Sequence, residues 1–143
     1  MKVFIENEAG SYVKNLHDER TLELKGTTEV SRPYPLPYGF VLDTTAEDGD
    51  NVDCFVLTTR CLRTGQIVEC EPVGLMEQIE DNQIDHKVLA MLPGEERSLD
   101  RETTQTLVEF ARHVFDHVPG KKMEIGEFRN REAAIDFVTQ RSK

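Results

Sequence analysis

Long apolar runs are missing from this chain. None approaches the length of a transmembrane helix, and the start, Met1-Lys2-Val3-Phe4-Ile5-Glu6, meets an acid too soon for a secretory signal. A cytoplasmic location, away from membranes, is therefore expected. Cysteine is scarce: Cys54, Cys61 and Cys70 make an odd count of 3 without CxxC spacing, which reads as reduced structural thiols and argues against zinc. Bases are also short, 17 against 27 acids, for a net charge of -10. A nucleic-acid backbone needs a basic face, so nucleic acid is excluded as a partner. An anionic substrate would be repelled as well, unless cations screen the acids; for a phosphate-bearing substrate, metal would be obligatory for binding as well as for chemistry. No repeat, low-complexity tract or linker interrupts the 143 residues, a length that suits one domain with a single core.

What the chain does have is acid in one place. Asp48-Gly49-Asp50-Asn51-Val52-Asp53 holds three carboxylates and no base. Carboxylates so crowded stay ionised at low cost only if a cation or solvent neutralises them. Apolar residues flank the run, Tyr38 to Leu42 before it and Cys54 to Leu57 after, which predicts a loop between two strands. Hard oxygens held at strand ends are what magnesium or manganese prefers. Asp-Gly is equally a common turn, and a merely solvated acidic loop stays open as a reading. A calcium EF-hand loop does not: counted from Asp48, the sixth position is Asp53 where glycine is required and the twelfth is Thr59 where glutamate is required.

Around this run the chain reads as mainly β. Short strands are expected at Val3–Glu6, Tyr12–Leu16 and Leu22–Lys25. Pro33, Pro35 and Pro37 then forbid helix and make a stiff extended connection that carries Tyr34 and Tyr38. The tyrosines could place hydroxyls accurately or simply cover the core. After a link at Arg60 to Gly65, two strands broken near Pro72 are expected over Gln66 to Ile79. A second acidic cluster follows, Glu77, Glu80, Asp81 and Asp85, and then a strand at Lys87 to Leu92. Carboxylates again lie between apolar runs, and two such loops can face each other across one site. Ser98 or Asp100 can cap a helix running to about Val118, with Leu107, Val108, Ala111, Val114, Phe115 and Val118 on one face. His113 and His117 are four apart on it but lack the glutamate of a His-Glu-x-x-His metal helix. A last strand is expected at Lys122–Ile125. Asn130 then caps a terminal helix with Ala134, Ile135 and Val138 inward.

Taken in order, Tyr38-Gly39-Phe40, Asp48-Gly49-Asp50-Asn51-Val52-Asp53, Pro72-Val73-Gly74 and Asp85-His86-Lys87 resemble the soluble, metal-dependent inorganic pyrophosphatases of family I over most of the chain. Asn51 stands where that family's Asp-x-Asp-Pro-x-Asp pattern has proline. The resemblance implies an α+β, mainly β fold, a small closed OB-like barrel with two flanking C-terminal helices, in one domain over residues 1–143. It implies magnesium-dependent hydrolysis of pyrophosphate to two phosphates by a metal-activated water, manganese being possible, in a homo-oligomer. Asp48, Asp53 and Asp85 would hold the tight metals, Glu80 a further ion with Asp81 as substitute, and Glu6 would be an outer ligand. Asp50 would take the proton of the attacking water. Lys14 and Lys87 would touch phosphate oxygens, and Tyr34 and Tyr38 would line the pocket.

The departures from the family fall on the phosphate side. Leu16 replaces an acid, Gly26 replaces an arginine for which Lys25 could compensate, and Val114 and Phe115 replace a Tyr-Lys pair. Glu69 and Glu71 stand where bases are commoner. Two alternatives therefore stand beside pyrophosphate hydrolysis: a hydrolase of another phosphoanhydride (nucleotide or polyphosphate), or a metal- or phosphate-binding protein that has lost catalysis.

Overall fold

The computed structural model describes residues 1–143. In chain order the elements are β1 (Lys2–Asn7), β2 (Val13–His17), β3 (Leu24–Glu29), β4 (Tyr38–Val41), β5 (Val52–Val56), β6 (Ile67–Glu69), β7 (Glu71–Glu80), β8 (Gln83–Ile84), β9 (Lys87–Met91), α1 (Arg101–His113), β10 (Met123–Arg129) and α2 (Arg131–Arg141). The main sheet runs β10-β7-β9-β5-β4-β1-β6 with β8 on β7, and β2 and β3 form a separate hairpin. This is the mainly β, two-helix architecture expected from the sequence. Neither helix is long and apolar enough to cross a membrane.

The central strands read as unbroken apolar runs because both of their faces are covered. Side chains alternate along a strand, so Cys54 and Val56 of β5 join Val3, Ile5, Val88 and Ala90 in one core cluster, closed by Ala134 and Phe137 of α2. Phe55 and Leu57 point the other way and pack with Tyr38, Met76 and Leu89 against Leu107, Phe110 and Ala111 of α1. The sheet is antiparallel apart from β5 and β9, which run parallel with Asp53 opposite Lys87. That one register brings the two acidic segments together.

Gly39 shows how tightly β1 and β4 approach: a Cβ built there would lie 1.7 Å from the Phe4 carbonyl oxygen. Backbone, unlike a flexible side chain, cannot swing away. Gly39→Ala is expected to cost about 3 kcal/mol, at the upper end of overpacking effects, read as a lowered urea midpoint with an unchanged slope.

Several boundaries differ from expectation. Chain pairing breaks at Cys70, whose carbonyl accepts from the Met1 amino group, and Pro72 lies inside β7, where a bulge between Pro72 and Gly74 absorbs its missing N–H. The acidic run is only partly loop, since Val52 and Asp53 already belong to β5. The third strand starts at Leu24 because Leu22 has a left-handed backbone, φ 66°. Helix α1 is capped by Asp100, which accepts from the Thr103 N–H at 2.7 Å, and stops at His113 instead of near Val118; Val118 is left exposed. The His113 ring turns to Asp116 and that of His117 to Ser31, so the two do not work as a pair. The last strand runs on to Arg129. In α2, capped by Asn130 as expected, Phe137 takes the inward position and Ile135 is exposed, because the core it meets lies on the Ala134 side.

Candidate active site

A cavity of about 920 Å³ opens where β1, β5, β7 and β9 meet the β2–β3 hairpin and the end of α1. Its wall includes Asp48, Asp50, Asp53, Asp85, Glu80 and Glu6, then Lys14, Lys25, Lys87, Tyr34 and Tyr38, all nominated by the resemblance; Asp81, the substitute for Glu80, is not part of it and faces Lys121 and the Lys122 N–H instead. Of the six departure positions named on the phosphate side, Leu16, Val114 and Phe115 also line it, and Gly26, Glu69 and Glu71 do not. The six nominated acids, from three separate stretches of sequence, thus share one space.

Lys87 sits at the centre. Its ammonium donates to Asp53 Oδ2 at 2.6 Å, to Asp85 Oδ2 at 3.0 Å and to Tyr38 Oη at 3.1 Å, with the side chain almost fully buried. The parallel register of β5 and β9 makes this possible, placing Asp53 beside Lys87 and Asp85 two residues upstream. Burial works against the charge on Lys87, but the two carboxylates outweigh it and raise its pKa. Burial likewise pushes the Asp85 carboxyl up to about 7, with the Asp53 and Glu80 charges adding to the push and Lys87 opposing it. Asp53 is the partner kept charged: burial opposes ionisation, yet the Lys87 charge and hydrogen bond hold it below the usual range. Burial raises the Tyr38 phenol far above its ordinary value. Because the Tyr38 oxygen accepts from Lys87, its own O–H is left to donate.

The remaining groups form a ring around this centre. Glu6, buried on β1, accepts from the His17 N–H at 3.0 Å and lies 3.1 Å from His17 Nδ1; burial raises its pKa and these contacts restrain the rise. Asp48 turns to its own loop and accepts from the Asp50 N–H at 2.9 Å. Asp50 takes no hydrogen bond at its carboxylate; desolvation, then the Asp48 and Asp53 charges, raise its pKa. Glu80 is tied to Lys121 at 2.9 Å, a contact that lowers its pKa against the effect of burial. The Phe115 ring lies between two ammonium groups, Lys14 at 5.3 Å and Lys121 at 5.0 Å.

Glu19 was not legible from any motif, yet it lines the same cavity. Desolvation lifts its pKa to about 8, the Asn51 N–H opposes the shift, and the Asp50, Asp53 and Glu6 charges add to it. The turn that carries it is built by Asp18, whose Oδ1 accepts from Arg20 N and Thr21 N, both at 2.9 Å. Asp18 followed by Thr21 is the one local sign of that turn, and it does not tell where Glu19 points.

The donor chemistry of the wall, carboxylates with no thiol and the single imidazole of His17, suits a hard divalent ion. No three of these acids are yet grouped around one point. Asp53 and Asp85 already share a cation, the Lys87 ammonium, so this part of the cavity draws positive charge, and the fit to a divalent ion rests on that and on the oxygen-rich wall.

A model of the inorganic pyrophosphatase family matches residues 3–143. The inorganic pyrophosphatase of Aquifex pyrophilus is 33% identical over 116 residues, which cover 73% of this chain and 65% of that protein. That of Nanoarchaeum equitans is 28% identical over 148 residues, covering 96% and 92% of the two chains. Among solved structures, an inorganic pyrophosphatase from Coxiella burnetii superposes with a TM-score of 0.89 at 27% identity over 99% of this chain and 92% of that one. The enzyme from Helicobacter pylori gives 0.87 at 26% identity, over 99% and 90%. Identity this low beside agreement this close in fold, with a family match over nearly the whole length, has one reading: the chain belongs to the inorganic pyrophosphatase family, as a divergent member.

Proposed function

We propose that the chain hydrolyses inorganic pyrophosphate to two phosphates with Mg²⁺, Mn²⁺ being an acceptable substitute, as a single domain over residues 1–143. The observation that carries this reading is the meeting of Asp48, Asp50, Asp53, Asp85, Glu80 and Glu6 with Lys14, Lys25 and Lys87 in one cavity. Splitting a phosphoanhydride needs neutralised phosphoryl oxygens and an in-line oxygen nucleophile. Divalent ions, when bound, supply charge neutralisation and make water acidic enough to attack near neutral pH.

The chain's own residues then divide the work. Asp48, Asp53 and Asp85 would hold the ions, Glu80 would give a further oxygen once released from Lys121, and Glu6 would be an outer ligand. Asp50, whose carboxylate is unengaged and whose pKa is raised, accepts the proton of the attacking water. Lys87 balances Asp53 and Asp85 and presents its ammonium to a phosphate oxygen beside the Tyr38 hydroxyl. Lys14 and Lys25 neutralise the far phosphate, and Tyr34 closes the wall behind it. Family resemblance supports a homo-oligomer in the cytoplasm.

One observation favours a second reading. Leu16, Val114 and Phe115 make part of the cavity apolar, which suits the base of a nucleotide better than a bare second phosphate. Phosphate release separates the cases: with Mg²⁺, the purified protein is expected to act on pyrophosphate faster than on nucleoside triphosphates or short polyphosphate. Faster release from a triphosphate would establish the second reading, and release from none of them would leave only binding.

A further inference from the structure

We infer that Glu19 is a positioning residue: with Asn51 it fixes the backbone between Asp50 and Asp53, and thereby the aim of both carboxylates. The inference rests on the hydrolytic reading for its consequence, though not for its geometry.

Asp48, Gly49 and Asp50 are exposed, and Gly49 has a left-handed φ of 89°. Local contacts shape this turn: the Ala46 N–H donates to the Asp50 carbonyl at 2.7 Å and the Gly49 N–H to the Ala46 carbonyl at 3.0 Å. Such contacts fix the turn's shape but do not fix where it sits relative to the opposite wall. From beyond residues 44–53, hydrogen bonds to residues 48–51 come from Glu19 alone. The Asn51 N–H donates to Glu19 Oε1 at 2.8 Å, and Asn51 Nδ2 donates to the Glu19 carbonyl at 3.4 Å. At 2.8 Å the first of these is the shorter and stronger bond. Asn51 Oδ1 meanwhile accepts from the Thr44 N–H at 3.4 Å, so one residue ties three segments.

Glu19 can serve as an anchor because it is itself held. The Leu22 N–H donates to the Asp18 carbonyl at 2.7 Å, and the Asp18 N–H to the Glu23 carbonyl at 2.8 Å, closing the turn at the tip of the β2–β3 hairpin. The clamp therefore runs from a hydrogen-bonded turn, between two residues that line the cavity, to the one peptide N–H that lies between Asp50 and the start of β5. Proline at position 51 would have no such N–H to offer.

The test is a set of variants read in two ways. Misplacing a reacting group by about 1 Å can cost a hundredfold, so Glu19→Ala is expected to lower kcat for pyrophosphate by roughly ten- to a hundredfold. KM should stay within about twofold, because the lost aim is felt in the transition state. Glu19→Gln keeps an oxygen acceptor for the Asn51 N–H and should restore kcat to within about threefold of the parent. Asn51→Pro removes the same N–H contact together with those of its side chain, so it should be at least as slow as Glu19→Ala, and the double variant should be no slower than Asn51→Pro alone. Equal damage from Glu19→Gln and Glu19→Ala, or losses that multiply in the double variant, overturns the clamp. Amide hydrogen exchange judges it without catalysis: Asn51 protection should fall in Glu19→Ala and persist in Glu19→Gln, and unchanged protection in Glu19→Ala overturns it. A parent protein inactive on pyrophosphate would defeat the functional reading while leaving that exchange result to decide the clamp.

Discussion

Asp50→Asn is expected to lower kcat for pyrophosphate about a thousandfold while leaving the fold and the thermal midpoint unchanged. General-base groups contribute typically about a hundred- to ten-thousandfold, and asparagine keeps the shape of the side chain while losing its ability to take a proton. Asp50 is the natural candidate because its neighbours are engaged and it is not: Asp53 and Asp85 face Lys87, Asp48 caps its own turn, and Glu80 faces Lys121. Its exposed position makes a stability effect small. Single-turnover phosphate release checks the prediction. A variant as fast as the parent would remove Asp50 from the mechanism even though the family assignment stands.

Lys87→Met should do the opposite, acting on the fold as well as on activity. It leaves Asp53 and Asp85 facing each other without their shared cation, and breaking a buried ion pair by removing one partner costs about 3–5 kcal/mol. The loss should shrink as pH falls, because protonation neutralises the carboxylates that Lys87 no longer balances. Urea unfolding at pH 5 and pH 8 without divalent ions reads both parts of the prediction. A deficit that is the same at the two pH values would show that packing, not charge, is what Lys87 supplies.

The parent protein should show a milder dependence of the same sign. Asp85 and Glu19 have folded-state pKa values raised to about 7 and about 8. For a group whose folded pKa lies above its unfolded one, the native state binds more protons, so its stabilising effect is complete below about pH 4 and lost as pH rises through the folded value. Between pH 5 and pH 8 the metal-free protein should therefore lose stability, measured as a falling thermal midpoint. The lowered carboxyls, Asp53 and Glu80, act in another window: they lose their contribution only as pH falls below the ordinary carboxylate range. A midpoint that rises from pH 5 to pH 8 would contradict the burial of Asp85 and Glu19.

How much of this could be read from residues alone depended on whether the determinant was local. Asp48, Asp50 and Asp53 announce themselves because three acids within six residues need neutralising, and Asp85 with Lys87 lies at the start of a clear strand. Their meeting across β5 and β9 followed from the family resemblance and from two acidic segments each lying between apolar runs; the parallel register is the physical cause. Glu19 was invisible because its direction is set by a turn with a left-handed Leu22, which apolar leucine does not signal. The Lys121 contact to Glu80 was equally hidden, since 41 positions separate the two and only the pairing of β10 with β7 brings them near. Pro72 misled for a similar reason: a proline usually ends a strand, and only a bulge in the partner pairing lets β7 keep it. In α2, five apolar residues compete for the inward side, and the side that wins is decided by the core below it, not by helical periodicity.

Binding of imidodiphosphate, a pyrophosphate analogue with a P–N–P link, tests most directly the claim that this acidic cavity accepts an anion only through cations. Calorimetry with Mg²⁺ present should give a clear binding isotherm, and the same titration in chelator should give none. Equal binding in the two conditions would contradict the account, because the lysines alone would then be holding the phosphates.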